Sequence, residues 1–105
     1  MGILLNVVQI GYGYWGTNVA KNIMAAKNTR LCAICDSSHT KLEKAKSVYL
    51  DRIEYSTEYN SYLYDPKIDA FALVIQTEPS FEIAKEIIKA GKLIHSLPAF
   101  ILTTI

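Results

Sequence analysis

The stretch Leu4-Leu5-Asn6-Val7-Val8-Gln9-Ile10, followed at once by Gly11-Tyr12-Gly13-Tyr14-Trp15-Gly16, decides how the rest of the chain is read. A short, mostly apolar run with β-branched residues predicts a buried strand. The glycines after it have the spacing G-x-G-x-x-G, and Val19, Ala20, Ile23 and Met24 then recur at helical intervals, predicting a helix over 16–26. Three surroundings give this otherwise common spacing its weight: a strand before it, a helix after it, and an acidic residue closing the next strand. Leu31 to Cys35 predicts that second strand, and Asp36 ends it twenty positions after Gly16.

Each position in the loop has its own physical role. Gly11 permits the tight turn out of the strand, Gly13 lets backbone approach a pyrophosphate, and Gly16 lets the helix pack close to the sheet. Amides near Tyr14 and Trp15 are first-turn donors without helical partners, at the positive end of the helix dipole, where an anion is favoured. Asp36 is placed to accept hydrogen bonds from ribose hydroxyls. A 2′-phosphate would meet that carboxylate, so the expected ligand is NAD, with NADP second; Ser37, Ser38 and Lys41 lie close by and soften the preference. Two other readings stand beside this one: a glycine-rich turn with no ligand, and a methyltransferase-type nucleotide loop, which usually lacks the third glycine. The aromatic residues are expected to be structural, Trp15 packing under the helix start and Tyr12 and Tyr14 covering the loop. The sharper alternative is a ring stacked on the ligand.

Further along, Ser37 or Ser38 can cap a helix whose inner face is Leu42, Ala45 and Tyr49. A short third strand is expected around Arg52 to Tyr55. A loop and short helix follow over Ser56 to Tyr64, ended by Asp65-Pro66. Ala70 to Ile75 predicts a fourth strand. A helix from about Ser80 to Ala90, with Ile83, Ala84, Ile87 and Ile88 inward, stops at Gly91, and Leu93 to Ser96 is the fifth strand. Strands alternating with helices predict an α/β doubly wound parallel sheet of the Rossmann kind, order 3-2-1-4-5, with helices on both faces.

The 105 residues suit one domain. Eleven basic and ten acidic residues give a net charge of +1 without blocks of like charge, so no nucleic-acid or anionic-membrane partner is expected. No apolar run approaches the roughly 18 residues of a membrane span, and no signal peptide is visible; the expected location is the cytoplasm. Cys32 and Cys35 form C-x-x-C, but on a strand residues three apart face opposite ways, so their sulfurs should not meet. With only His39 and His95 elsewhere, no metal site is expected.

Val7-Val8-Gln9-Ile10-Gly11-Tyr12-Gly13-Tyr14-Trp15-Gly16 resembles the start of the glucose–fructose oxidoreductase and inositol 2-dehydrogenase family, in the G-Y-W-G form of members acting on nucleotide-linked sugars. Leu31 to Asp36 resembles that family's second strand. Leu63 to Ala72, with Asp65-Pro66 and Ile68-Asp69-Ala70, resembles its L-x-D-P-x-V-D-A stretch, and Ile83 to Lys92 its L-A-x-x-A-L-x-A-G-K helix. The resemblance implies NAD(P)-dependent dehydrogenases: a Rossmann domain, then a larger substrate domain, with a lysine of an E-K-P motif moving the hydroxyl proton. The sequence departs from that pattern in three places. His95-Ser96-Leu97-Pro98 has Leu97 at the lysine position, and leucine cannot exchange a proton. The family's A-T-P-x-x-x-H loop reads Gln76-Thr77-Glu78-Pro79-Ser80-Phe81-Glu82, two residues shorter, with Thr77 aligned, Glu78 for the proline and no histidine. The chain ends where the substrate domain would begin.

The cofactor-binding set expected from these considerations is Gly11, Tyr12, Gly13, Tyr14, Trp15, Gly16, Asp36, Ser37 and Thr77. No catalytic residue is expected, His95 being a weak substitute for the lysine. The function expected is a dinucleotide-binding domain without catalysis of its own. The alternatives are an oxidoreductase acting on a sugar CH–OH group with a partner chain supplying the substrate domain, and a degenerate fragment kept as an interaction domain. Phe100, Ile101, Leu102 and Ile105 in the apolar tail, together with the open sheet edge, predict a homodimer.

Overall fold

In the computed structural model, which describes residues 4–75 and 79–96, five parallel strands form one sheet in the order β3-β2-β1-β4-β5. β1 (Leu5–Ile10) runs into α1 (Tyr14–Ala25), then β2 (Thr29–Cys35), α2 (His39–Tyr49), β3 (Glu54–Ser56), the short α3 (Asn60–Leu63), β4 (Ala70–Leu73), α4 (Pro79–Lys89) and β5 (Leu93–Ser96). This is the Rossmann-type arrangement expected from the alternation of apolar runs and helical spacing. β1 and β4 are central, and their residues from Val7 to Ile10 and from Ala70 to Leu73 are all buried because helices cover both sheet faces.

The two faces differ in character. Val8, Ile10, Phe71 and Leu73 join Ile83, Ala84 and Ile87 of α4, with Leu63 and Ile68, in the larger apolar cluster. On the other face, Val7, Ala70 and Ala72 pack with Val19 and Ile23 of α1, and Leu31 and Ile34 pack with Ala20, Leu42, Ala45 and Tyr49. Small alanines on that face of β4 let α1 lie close to the sheet.

The register between β1 and β2 is irregular. Val7 pairs with Leu31 and Val8 with Ala33, so Cys32 is an extra residue in β2. This bulge resets the alternation. It overturns the expectation that Cys32 and Cys35 face opposite ways, since both pack into the cluster beneath α4. Both thiols are free. Cys32 Sγ points to Arg30 O at 3.7 Å and Cys35 Sγ to Glu58 O at 3.6 Å.

Other boundaries also shift. α1 begins two residues before the expected start. β3 lies at Glu54–Ser56 because a single 3-10 turn, Leu50–Arg52, follows α2. Leu50 takes φ +54° at the end of α2, a conformation disfavoured for a branched side chain. Ser38, not Ser37, caps α2, accepting from Lys41 N. Ile88 is 37% exposed rather than inward and stays outside the cluster that Ile83, Ala84 and Ile87 of α4 join. At the sheet's lower end Lys92 Nζ donates to the carbonyls of Asp65 and Ile68, at 2.7 and 2.6 Å. These two bonds tie the residue before β5 to the turn before β4. The apolar tail from Ala99, including Phe100, Ile101, Leu102 and Ile105, lies outside the described residues, as do Thr77, Glu78 and Leu97.

Candidate functional site

At the carboxyl ends of the strands, where the connections from β1 and β4 leave in opposite directions, there is a cleft of about 580 Å³. Its walls come from the segments after four strands. Gly11, Gly13, Tyr14 and Trp15 follow β1; Asp36, Ser37 and Lys41 follow β2; Thr57 and Tyr59 follow β3; Val74 and Ile75 follow β4.

The three glycines of the loop have different demands on them. Gly11 has φ +105°, and a Cβ there would lie 2.5 Å from Val74 O. A Cβ on Gly16 would lie 2.7 Å from Gly11 O, so helix and loop meet backbone to backbone. Gly13 differs: among the described residues a Cβ there would meet nothing within 4 Å except the tip of Lys41, Nζ at 3.7 Å. Among the described residues no neighbour requires glycine at 13, and the space beside it opens into the cleft.

The amides follow the same division. Gly11 N donates to Cys35 O at 2.7 Å, Tyr12 N to Asp36 Oδ2 at 2.8 Å, and Gly16 N to Gly13 O at 3.1 Å. The amides of Gly13, Tyr14 and Trp15 make no hydrogen bond with the described residues. α1 has no capping side chain and no acidic residue in its first turn. These donors and the positive end of the helix dipole therefore meet the cleft without a capping side chain of α1.

Asp36 is half-buried between Tyr12 N and Ser38 N, the latter donating to Oδ1 at 2.9 Å. A carboxylate has about four acceptor positions, so capacity for further donors remains on both oxygens. Lys41 Nζ reaches the Gly13 side of the same corner, and Ser37 borders it.

The aromatic residues fall otherwise than expected. Tyr12 is 4% exposed and packs with Leu31, Leu42 and Tyr49, so it belongs to the core and does not cover the loop. Trp15 is 48% exposed and does not pack under the helix. Tyr14 is 84% exposed, and the two rings meet edge to face with centroids 5.1 Å apart. The reason is helix phase: with α1 starting at Tyr14, Gly16 and Ala20 turn inward and 14 and 15 turn out.

Several groups were not singled out by sequence. Gln9 is fully buried beneath the loop, and a lone amide within an apolar strand was the available signal. Thr57 and Tyr59 enter the cleft from the loop after β3, which has no motif. Tyr59 Oη donates to Glu86 Oε1, and its phenol is pushed up to about 12, first by burial and then by that carboxylate. Cys35 also borders the cleft, but burial pushes its thiol up to about 12, so it is not a nucleophile at neutral pH. His95 is solvent-exposed on β5, paired with Ala72 and away from the cleft lining. Among the described residues no three His, Cys, Asp or Glu side chains are grouped to hold a metal ion, and no helix is long and apolar enough to cross a membrane.

Residues 5–97 match the model of a family described as an oxidoreductase family with an NAD-binding Rossmann fold. A comparison with curated proteins gave no match. Among solved structures, an NAD-binding protein from Listeria innocua is 25% identical, with a TM-score of 0.78 over 88% of this chain and 26% of that one. Scyllo-inositol dehydrogenase from Lactobacillus casei, solved with NAD(H) and scyllo-inositol, is 22% identical, with a TM-score of 0.77 over 89% of this chain and 27% of its own. GenD2 from gentamicin A biosynthesis, solved with NAD, is 19% identical, with a TM-score of 0.81 over 91% of this chain and 27% of its own. The chain thus spans about a quarter of the length of these structures.

Proposed function

Because the chain belongs to the oxidoreductase family with the NAD-binding Rossmann fold, we propose that its 105 residues form a single dinucleotide-binding domain that holds NAD in the cleft above β1 and β4 and performs no hydride transfer by itself. In this reading the pyrophosphate rests on the amides of Gly13, Tyr14 and Trp15. Asp36 accepts from the ribose hydroxyls, Ser37 borders the ribose, and Gly11, Tyr12 and Gly16 shape the loop. Thr77 is assigned to the nicotinamide side from the sequence alone.

The observation that carries this reading is the vacant side of Gly13, next to three amides without partners among the described residues. A glycine that no atom of the described residues demands, at the mouth of a helix, is accounted for by close approach of an anion. NAD supplies a hydride acceptor when bound. What the chain supplies is binding and orientation. Leu97, at the family's lysine position, offers no proton donor or acceptor, which supports a role without catalysis. Asp36 beside the ribose supports NAD over NADP.

Trp15 is the single tryptophan and lines the cleft, so its fluorescence reports directly on the site. Titration with NAD, NADH, NADP and ATP should quench or shift its emission, most readily with NAD or NADH. A ligand at 100 times its dissociation constant should also raise stability by about 2.7 kcal/mol. Unchanged emission and unchanged melting at millimolar dinucleotide would refute the proposal.

A second reading follows from family membership: an oxidoreductase acting on a sugar CH–OH group, completed by a substrate domain from a partner chain. Turnover with sugars and nucleotide sugars, alone and with co-purifying proteins, separates the two. We further propose a cytoplasmic homodimer. The free thiols of Cys32 and Cys35 suit a reducing compartment. β5, the edge strand among the described residues, with Leu93 59% exposed, suits pairing with a second copy. Light scattering on a sizing column tests the oligomeric state.

A further inference from the structure

Gln9 has no exposed surface, and its Nε2 donates to two carbonyl oxygens, Gly11 O and Gly16 O, each at 2.9 Å. Its Oε1 is buried and has no partner among the described residues. An apolar side chain of the same length would fill this space without an orphaned oxygen. What the amide adds is a link between the two ends of the glycine loop.

The consequence falls on the peptide joining Gly11 and Tyr12. This peptide is trans, so the Gly11 carbonyl and the Tyr12 N–H point in opposite directions. Gln9 draws the carbonyl inward, toward the contact between α1 and the sheet. The N–H is thereby turned outward, where it donates to Asp36 Oδ2 at 2.8 Å. One peptide plane is gripped from both sides, by an amide below and a carboxylate above. Without the grip, a glycine at position 11 leaves this plane free to turn. A turned plane would aim a carbonyl dipole at the cleft, against an anion, and would leave Asp36 without one of its anchors.

We propose that Gln9 is a positioning residue: it holds the Gly11–Tyr12 peptide in the one orientation that keeps carbonyl oxygen away from a diphosphate and ties Asp36 in place beside the ribose. The proposal deepens the dinucleotide reading and rests on it for its effect on binding, but the peptide orientation can be measured without ligand.

The test uses the full chain and Gln9→Met, which keeps length and apolar contact but removes both donors. Amide hydrogen exchange followed by NMR is read at Tyr12, with Ile34 and Phe71 as core references, and NAD affinity is read from Trp15 fluorescence. The expected result is that Tyr12 exchanges about tenfold or more faster relative to Ile34 and Phe71, and that NAD binding weakens about tenfold, the size of one lost hydrogen bond. A merely structural role would speed exchange at all three amides together, and that result would overturn the proposal. So would a Tyr12 amide that exchanges as in the unsubstituted chain, or an unchanged NAD affinity. If Gln9→Met does not fold, Gln9→Asn, whose amide is too short to reach both carbonyls, is measured in the same way. If the unsubstituted chain fails to bind NAD, the dinucleotide reading falls and exchange at Tyr12 alone decides whether Gln9 sets the peptide.

Discussion

Replacing Gly13 and Gly16 by alanine, one at a time, separates a glycine kept for a ligand from a glycine kept for the fold. A methyl group on Gly16 would stand 2.7 Å from Gly11 O and 3.2 Å from Gln9 Nε2. Ordinary contact begins at 3.4 Å, so α1 and the loop would have to part by about 0.7 Å. Overpacking of this kind costs about 1–3 kcal/mol, which in a domain of this size lowers the melting temperature by roughly 4–8 °C per kcal/mol. Among the described residues a methyl group on Gly13 meets only the flexible end of Lys41 at 3.7 Å, and Gly13 has negative φ. Its cost is limited to the weaker N-cap, at most about 1 kcal/mol. For binding the order reverses. The methyl at 13 occupies the side where a pyrophosphate would lie, and NAD affinity should fall at least about tenfold, or 1.4 kcal/mol. Urea unfolding measures the first effect and Trp15 fluorescence titration the second. Gly13→Ala binding NAD as tightly as the unsubstituted chain would refute the assignment of this loop to a diphosphate. Gly13→Ala destabilising as much as Gly16→Ala would refute the division between the two glycines.

Three further outcomes are expected. Lys92→Met removes an ammonium bonded to the carbonyls of Asp65 and Ile68; it should cost about 1–3 kcal/mol in urea unfolding without altering the Trp15 response to ligand. Leu50→Gly relieves a leucine held at φ +54° with an exposed side chain, and should raise stability by about 1 kcal/mol. The Cys35 thiol, raised from 9.0 to about 12 by burial, keeps its proton in the folded chain after the unfolded chain has lost it. Its contribution to stability is therefore whole below pH 9 and declines as pH rises toward 12. Cys35→Ala should make alkaline unfolding less steep over that interval, and a slope unchanged by the substitution would count against the assignment.

The sequence by itself determined the architecture. Buried parallel strands must be apolar on both faces, and helices between them must repeat their apolar residues every three or four positions. Val7 to Ile10, Ala70 to Leu73 and Ile83 to Ile87 carry those signals locally, so the order 3-2-1-4-5 and the place of the glycine loop were legible without coordinates. The glycines and Asp36 were legible for the same reason, because their spacing lies within one strand–loop–helix–strand unit and the turn that ends it. What only the tertiary structure decided depends on registers and partners far apart in the chain. The bulge at Cys32 arises from how β2 lies against β1, and it places the two cysteines on one side of the sheet. The inward Tyr12 and the outward Trp15 follow from where α1 starts. Whether a glycine is crowded or vacant was visible only once Gly11 O, Val74 O and Lys41 had positions in space. Gln9 was a polar letter in an apolar run until Gly11 and Gly16, brought together by the turn, gave its amide two carbonyls to hold. Hydrogen bonds and steric room are properties of distances, and a chain sets those distances only by folding.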